Sequence, residues 1–582
     1  MLNVRTGTRP FEVLTRTFFA QLFASESVTS DAQLRQAMIG ILAFLVLPGL
    51  FLLAEVFPAY QITAAVAAAR HRPEMLQTAL AQICLILATY AMVAVGIISV
   101  FTWDALTFNR RDAMVLGPLP VGGTTIVAAK LAALGLLLAG ATGAIATMTA
   151  IPFALTTVVQ FSIVGLVRHF LACVVTIGGA ALFVFASMVV IRGAIAFIGR
   201  ERAAARIGSL LQFVFVALLL CLMVQLESGL RVMRSAAVTA GMQGYAPTAW
   251  FLGLFERCLG SSRPDFTLLS HRALLATTLV TVAAIVVSFG GFRRQLHLAL
   301  AATGPARHLG SARVTRAIAR QLAGPNRIAR GIADFTILTL GRNRPQQVPI
   351  AINAAIGVAV VAAALSSRVH TLAGLTHPRT AVLWIPLVLA YWLTIGLRAA
   401  FRVPVDLRAA WLFRSSLPGE LAAVRHAVRV AMLAFVVPPV AFGAAVITLP
   451  LYGWHLAARH TLLVVLLTWL LVEVLLPAFP HVPFARAYEP GHARLKTRWW
   501  MYLLGMFAFA YVPVKVELML MGNTAGQLEL IGAIVAGSVL IPLARMARAR
   551  GKPGRPVEWN DDDEGELSEL AVLNLSGLGM RV

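Results

Sequence analysis

Long blocks of apolar residues recur along the whole chain, separated by short polar segments. Each block has about 20 residues, the length at which an α-helix crosses a hydrocarbon layer about 30 Å thick. Of the 582 residues, 59% are hydrophobic and 13% are charged, whereas charged residues make up about a quarter of a soluble domain. Because backbone groups inside a bilayer must be hydrogen-bonded internally, the blocks predict transmembrane α-helices.

About twelve such blocks can be distinguished, and they predict an all-α, polytopic transmembrane helical bundle. The basic residues lie in short segments between the blocks rather than on one soluble face. The formal net charge of +24 therefore reflects membrane topology, and no nucleic-acid partner is predicted. The predicted spans cover roughly residues 37–57, 78–101, 126–153, 168–191, 207–227, 272–290, 348–366, 381–399, 430–452, 460–479, 499–519 and 525–545.

The distribution of Lys and Arg predicts the orientation of the chain. With a cytoplasmic N-terminus, most of the 49 Lys and Arg residues fall in inward segments, as the positive-inside bias requires. The largest contribution comes from segment 291–347, which includes Arg293, Arg294 and Arg313. We therefore expect both termini to be cytoplasmic.

The same basic segment separates two predicted sets of six spans. Both sets begin on the inner side, so they predict a parallel rather than an inverted repeat. An amphipathic stretch precedes each set, formed by Phe18, Phe19, Leu22 and Phe23 in one case and by Phe335, Ile337, Leu338 and Leu340 in the other. The predicted regions are a cytoplasmic amphipathic N-terminal segment (1–36), a first six-span unit (37–290), a basic cytoplasmic linker with an amphipathic helix (291–347), a second six-span unit (348–545) and a disordered cytoplasmic tail (546–582).

Residues 103–120, between the second and third predicted spans, contain too many apolar side chains for a solvated loop. Because Pro118 cannot continue a helix, the pattern predicts a short interfacial helix that ends near it and docks against the membrane or a partner. A related segment, 405–418, occupies the same place in the second half. Each segment leads to a basic residue at the third span of its half, Lys130 or Arg429. The alternative is a polar loop with weak exposed ion pairs.

The chain carries no nucleotide-binding signature of its own. Neither GxxxxGK[ST] nor GxGxxG occurs, and the longest polar stretch is too short for a nucleotide-binding domain. The run WDALTFNRRDAMVLGPLP at 103–120, followed by Lys130, resembles the cytoplasmic loop of permease subunits of bacterial ABC-type exporters in the type-2 superfamily. The similarity extends over nearly the whole chain, which looks like two such six-span units fused.

This resemblance implies a transport subunit of the bacterial inner membrane that is not itself an enzyme and holds no cofactor. Its partners would be the lipid bilayer and an ABC-type ATPase subunit in two copies, on which a coupling helix rests. The ATPase-coupling residues implied by the family pattern are Trp103, Asp104, Arg110, Arg111, Asp112, Leu116, Pro118, Leu119 and Pro120, with Arg408, Leu417 and Pro418 in the second half. The Trp-Asp and Arg-Arg-Asp elements are degraded in the second half, so we expect weak or purely structural coupling there.

The outward segment between the fifth and sixth predicted spans also fits the superfamily. In that superfamily, this segment often contains short helices that dip back into the outer leaflet. The residues that match here are Pro247, Trp250, Phe251 and Glu256. An interfacial aromatic belt is the alternative interpretation.

Ionisable residues inside the predicted spans are few, and Glu473 is the clearest. An intramembrane acid is a candidate for a substrate or gating role, with protonation or a packing hydrogen bond as alternatives. Glu517 lies near a span end, where it is expected to snorkel. His455 and His460 are expected in an outward loop, and the absence of a metal-ligand spacing predicts no metal site.

Two further functions are alternatives to the exporter permease. An ion-gradient-driven secondary transporter of the 12-span type needs several intramembrane ionisable residues, and the sequence offers little beyond Glu473. A membrane-embedded transferase needs clustered carboxylates or histidines at an outward surface, where Asp265 and Glu256 are isolated. The sequence therefore favours the permease, and it assigns no substrate.

Overall fold

Helices are the regular secondary structure of the described residues in the computed structural model. The described residues fall in two compact units, 1–305 and 306–582, called unit 1 and unit 2 below. Their boundary lies inside the predicted linker. The structure describes residues 10–23, 57–58, 60–103, 105–106, 108, 110–116, 120–158, 162–195, 197, 207–208, 210–222, 247–301, 310–368, 380–403, 405, 421–476, 482–484, 495–520 and 523–549.

Unit 1 is built around one deeply buried helix. Helix α3 packs against α5, α6 and α8, and α6 also contacts α5 and α9. At 29 residues, α3 extends over about 43 Å, enough to cross a bilayer. The helices are α1 (Pro10–Phe23), α2 (Tyr60–Ala69), α3 (Pro73–Phe101), α4 (Arg110–Leu116), α5 (Gly123–Thr157), α6 (Ile163–Ile195), α7 (Leu210–Leu222), α8 (Pro247–Cys258) and α9 (Pro264–Ala301).

A tight helical hairpin, α8–α9, closes one side of unit 1. Gly253 makes this close approach possible, because a Cβ atom there would lie 2.4 Å from Leu269 Cβ and 2.8 Å from the Phe266 carbonyl oxygen. Phe251 and Phe255 of α8 are fully buried. The helix is therefore part of the packed body of unit 1.

Unit 2 has its core between α14 and its two neighbours, α12 and α15. A five-residue π-helical stretch, Phe507–Tyr511, separates α16 from α17. The helices are α10 (Gly310–Leu322), α11 (Arg327–Arg342), α12 (Arg344–Arg368), α13 (Thr380–Leu383), α14 (Ile385–Ala400), α15 (Leu421–Leu475), α16 (Leu495–Met506), α17 (Val512–Met519) and α18 (Thr524–Ala549).

Helix α15 is two helices joined at Gly453. That residue has φ 79° and ψ 170°, which interrupts the helix in a region that glycine tolerates. Arg429 and Glu473 are 44 residues apart and would be about 66 Å apart on a straight helix, yet their side chains are in contact. The chain therefore reverses at Gly453, and residues 421–452 and 454–475 form an antiparallel hairpin.

Eight described helices are long and apolar enough to cross a membrane when α15 is counted once. By length and composition, the chain is a multi-pass helical membrane protein. Helices α7 and α12 lie at two further predicted spans, α12 meeting α11 at 76°. The first predicted span lies outside the described residues except for Phe57. The arrangement of twelve spans in two repeats remains a prediction.

Candidate functional site

A buried ion pair fixes the short helix α4 to the body of unit 1. Lys130 Nζ of α5 lies 3.1 Å from Asp112 Oδ2 of α4, and both side chains are buried. Gln21 of α1 donates a hydrogen bond of 3.3 Å from Nε2 to Asp112 Oδ1. The carboxylate of Asp112 thus links α4 to two other helices.

Aromatic rings surround the ammonium group of this pair. Lys130 Nζ lies 4.4 Å from the ring centroid of Phe108 and 5.3 Å from that of Phe18, within the range of cation–π attraction. Phe108 also packs against Phe292 of α9, with the ring centroids 4.9 Å apart. The ammonium group is therefore held by a carboxylate and by two aromatic rings, one from α1 and one from the segment before α4, and α9 supports the second ring.

The opposite face of α4 is apolar and exposed. Met114 and Val115 are 51% and 58% exposed, whereas Asp112 and Leu116 of the same helix are buried. The helix ends at Leu116, directly before the Gly117-Pro118 pair, as the sequence predicts. Helix α4 thus has one face attached to unit 1 and one available for contact.

Trp103 anchors the beginning of the predicted coupling segment. Its side chain is fully buried, with its ring centroid 6.1 Å from that of Phe215 of α7. Arg192 of α6 donates from Nε to the Trp103 carbonyl oxygen at 3.4 Å, and its guanidinium lies 5.9 Å from the indole. Trp103 therefore fixes the end of α3 to α6 and α7.

These positions refine the roles implied for the coupling residues. Trp103, Asp112 and Leu116 are buried in unit 1, so they hold the segment in place and do not offer side chains to a partner. Pro120 is exposed. Arg110 and Arg111 belong to α4, with their side chains outside the description. The other predicted coupling residues lie outside the described residues: Asp104, Pro118, Leu119, Arg408, Leu417 and Pro418.

In unit 2, the buried Glu473 forms an ion pair with Arg429, whose side chain is partly exposed. Arg429 Nη2 donates a hydrogen bond of 3.1 Å to Glu473 Oε2. Arg429 Nε lies 2.6 Å from Glu473 Oε1. Trp469 also donates from Nε1 to Oε1 at 3.3 Å. Both basic residues at the predicted third-span positions, Lys130 and Arg429, are thus paired with an acid. The two acids lie on different kinds of element. Asp112 belongs to the short helix α4, whereas Glu473 belongs to the second arm of the α15 hairpin.

A buried contact between His460 and Glu517 corrects two sequence-based expectations. His460 lies within helix α15 and is fully buried, not in an outward loop. Glu517 is also buried and does not snorkel: its Oε2 lies 2.9 Å from His460 Nδ1. The helical spacing of His460 with the buried Leu463 and Val464 is the sequence signal that could have placed it on the inner face.

Helix α8 contains the predicted outward site. It begins at Pro247, and Trp250 and Phe251 pack against Phe183 of α6 with ring centroids 6.0 and 6.1 Å away. Burial raises the pKa of the Glu256 carboxyl above its ordinary value of 4.5, while Arg263 acts to lower it. Phe251 is thus buried in the bundle, and Trp250 is partly buried beside it.

Comparison with known proteins assigns no family: no family model, curated protein or solved structure matches the chain. Within the described part of the chain, no group of three or more His, Cys, Asp or Glu side chains could hold a metal ion. The features that bear on function are therefore the Asp112–Lys130 pair, the Arg429–Glu473 pair, the His460–Glu517 contact and the two faces of α4.

Proposed function

We propose that the chain is the membrane-spanning permease subunit of an ATP-driven exporter. A separate ABC-type ATPase subunit, in two copies, would hydrolyse ATP, since this sequence contains no phosphate-binding loop. The observation that carries the proposal is the two-sided character of α4. Its buried face is fixed to α1 and α5 through Asp112, while Met114 and Val115 are exposed on the other.

The strength of the attachment determines whether α4 can transmit movement. A surface ion pair contributes about 0–1 kcal/mol, so a helix held only by such a pair would detach when displaced. Breaking a buried pair by removing one partner costs about 3–5 kcal/mol. The Asp112–Lys130 contact is of the buried kind. A displacement of α4 would therefore move α5, a predicted membrane span, along with it.

The proposed location is a bacterial inner membrane with both termini in the cytoplasm. This orientation follows the positive-inside bias and puts the basic segment 291–347 on the inner side. The loop that contains α4 is then cytoplasmic and within reach of a soluble ATPase.

In the second half, the segment with Arg408, Leu417 and Pro418 is proposed as the matching, weaker contact with the ATPase. The Arg429–Glu473 pair supports this proposal, because it fixes the hairpin that follows the segment. Glu473 would then serve as a structural anchor near that end of the hairpin.

Affinity purification from native membranes in mild detergent tests the proposal. The wild-type chain is expected to recover a protein with a Walker A motif, and M114E/V115E is expected to lose it, because two charges would replace the apolar contact. The matched control is I163E/V164E, which alters two adjacent exposed apolar residues at the start of α6. Helix α5 spans about 52 Å over its 35 residues, so this control lies at the other end of unit 1.

The control variant should recover the ATPase as well as the wild type does. If the wild-type chain recovers no ATPase, the permease proposal is wrong. If M114E/V115E retains the ATPase, the proposal that α4 is the contact is wrong.

A further inference from the structure

A histidine and a glutamate are in contact inside unit 2. His460 lies in the α15 hairpin close to Gly453, and Glu517 lies on α17. His460 Nδ1 lies 2.9 Å from Oε2 and 3.2 Å from Oε1 of Glu517. The His460 side chain has 0% exposure, and Glu517 has 6%. We propose that His460 and Glu517 form a proton-binding site, which takes up and releases one proton as a unit.

The charge of the pair depends on a single proton. With a neutral imidazole and an ionised carboxylate, the pair carries one net negative charge. One added proton makes it electrically neutral, as an imidazolium with a carboxylate or as an imidazole with a carboxylic acid. The neutral pair can stay buried, whereas an uncompensated charge in an apolar surrounding requires water or a cation. Uptake and release therefore demand different surroundings.

The two ring nitrogens of His460 have different environments. Nδ1 faces the carboxylate, so a hydrogen bond joins the two groups whether the shared proton lies on the ring or on the acid. Nε2 is buried and has no hydrogen-bond partner among the described residues. No second acceptor within that part of the structure stabilises an imidazolium, so Glu517 is the group that lets His460 hold a proton.

Other charged groups near this end of unit 2 are engaged elsewhere or exposed. Arg459 donates from Nη1 to Gln527 Oε1 of α18 at 2.8 Å. The ammonium group of Lys515, two residues before Glu517, lies 5.7 Å from the ring centroid of Tyr511. Glu529 of α18 is exposed, and helix α13, which packs against both α15 and α17, contains no ionisable residue.

Among the described residues, the remaining titratable neighbours of the hairpin make their contacts elsewhere. His455 is exposed and lies against the indole of Trp454. Helix α14 contributes Tyr391, which donates its hydroxyl to the Tyr502 carbonyl oxygen at 2.8 Å. Helices α10 and α11 contact the hairpin at its opposite end, where the ring of His426 approaches the Ala323 carbonyl oxygen. In the part of unit 2 that the structure describes, the proton site is thus formed by His460 and Glu517.

The helices on the two sides of the contact differ in regularity. His460 lies on the hairpin arm whose other end is fixed by Arg429–Glu473. Glu517 lies on α17, directly after the π-helical stretch Phe507–Tyr511. Such stretches are rare and occur frequently at functional sites, where they allow a change of register. Loss of the proton would accordingly act on α17, because a displaced α17 brings the Glu517 carboxylate to water.

Infrared difference spectroscopy of the full-length protein in lipid nanodiscs, recorded while the pH is changed, tests this site. In the wild type, the imidazole-to-imidazolium bands should include one component from His460 among the 12 histidines. Both H460Q and E517Q should remove that component, and the double variant should remove no more than either alone. In H460Q, a protonated carboxyl band should appear, because Glu517 has lost its partner, and the double variant should lack this band.

The control variants are H455Q and E529Q, which alter an exposed histidine and an exposed acid near the same end. H455Q should remove a separate component, and H455Q/E517Q should remove two. Unchanged histidine bands in E517Q, or two components lost in H460Q/E517Q, would overturn the proposal. Folding of the single variants is judged by size-exclusion chromatography and circular dichroism. If they do not fold, the neutral double variant H460Q/E517Q is compared with the wild type. Loss of one histidine component then supports the site, and loss of no component overturns the proposal. The outcome is independent of whether an ATPase is recovered.

Discussion

Replacing Lys130 with methionine should release α4 from unit 1. The substitution keeps an unbranched apolar stem but removes the ammonium group that lies 3.1 Å from the buried Asp112 carboxylate. Breaking a buried pair in this way costs about 3–5 kcal/mol. The lost contact with the rings of Phe108 and Phe18 adds about 0.5–2 kcal/mol. Taking only 3 kcal/mol, local opening of α4 becomes about 150-fold more frequent.

Maleimide labelling of a cysteine at a buried position measures this opening. L116C reports on the attached face of α4, and M114C reports on the exposed face. The background carries C221A and C258A, because these two native cysteines are partly exposed. We expect L116C to label slowly in the otherwise wild-type protein and at least about 100-fold faster with K130M, while M114C labels rapidly in both.

Two comparisons separate the ion pair from a general loss of stability. D112N/K130M should recover most of the protection of L116C, because neither buried charge remains. K515M removes a lysine from unit 2 and should leave the labelling rate of L116C unchanged. If L116C labels equally slowly with and without K130M, the ion pair does not hold α4, and the reasoning on force transmission is refuted.

Three further predictions concern other parts of the chain. E473Q should lower the free energy of unfolding of unit 2 by about 1–2 kcal/mol, a reduced value because Arg429 is partly exposed; an unchanged thermal midpoint contradicts it. G453A should destabilise the hairpin by about 1–2 kcal/mol, because Gly453 has a positive φ that alanine rarely adopts. The control is G443A, where a Cβ atom would meet open space within the same helix. It should be neutral or stabilising in the same denaturation assay. Because burial raises the pKa of Glu256, its contribution to stability should fall as the pH rises from 4.5 towards neutral, and E256Q should remove that slope from a pH series of thermal midpoints.

Local patterns were sufficient to predict several of the described helices and some of their ends. The end of α4 follows from Gly117-Pro118, and the amphipathic stretches around Phe18 and Ile337 are helical as predicted. These features depend on residues close together in the chain, where proline geometry and apolar spacing act directly.

The partners of the buried charges could not be obtained from the same patterns. Lys130 and Glu473 lie inside predicted spans, but their partners are 18 and 44 residues away and meet them only after the chain has turned. His460 and Glu517 are 57 residues apart on different helices. In the local sequence, each of these four residues is an isolated polar residue in or near a predicted span. Whether its side chain is exposed or paired depends on the packing of distant segments.

Site-specific photo-crosslinking from the exposed face of α4 tests the central proposal most directly. A photoreactive amino acid is placed at position 114, or at the control position 163, in the full-length protein in its native membrane. The permease proposal predicts that position 114 forms a covalent product with a subunit that contains a Walker A motif and that position 163 does not. The permease proposal is contradicted if position 114 forms no crosslink with a Walker A subunit. It is also contradicted if positions 114 and 163 form the same crosslink.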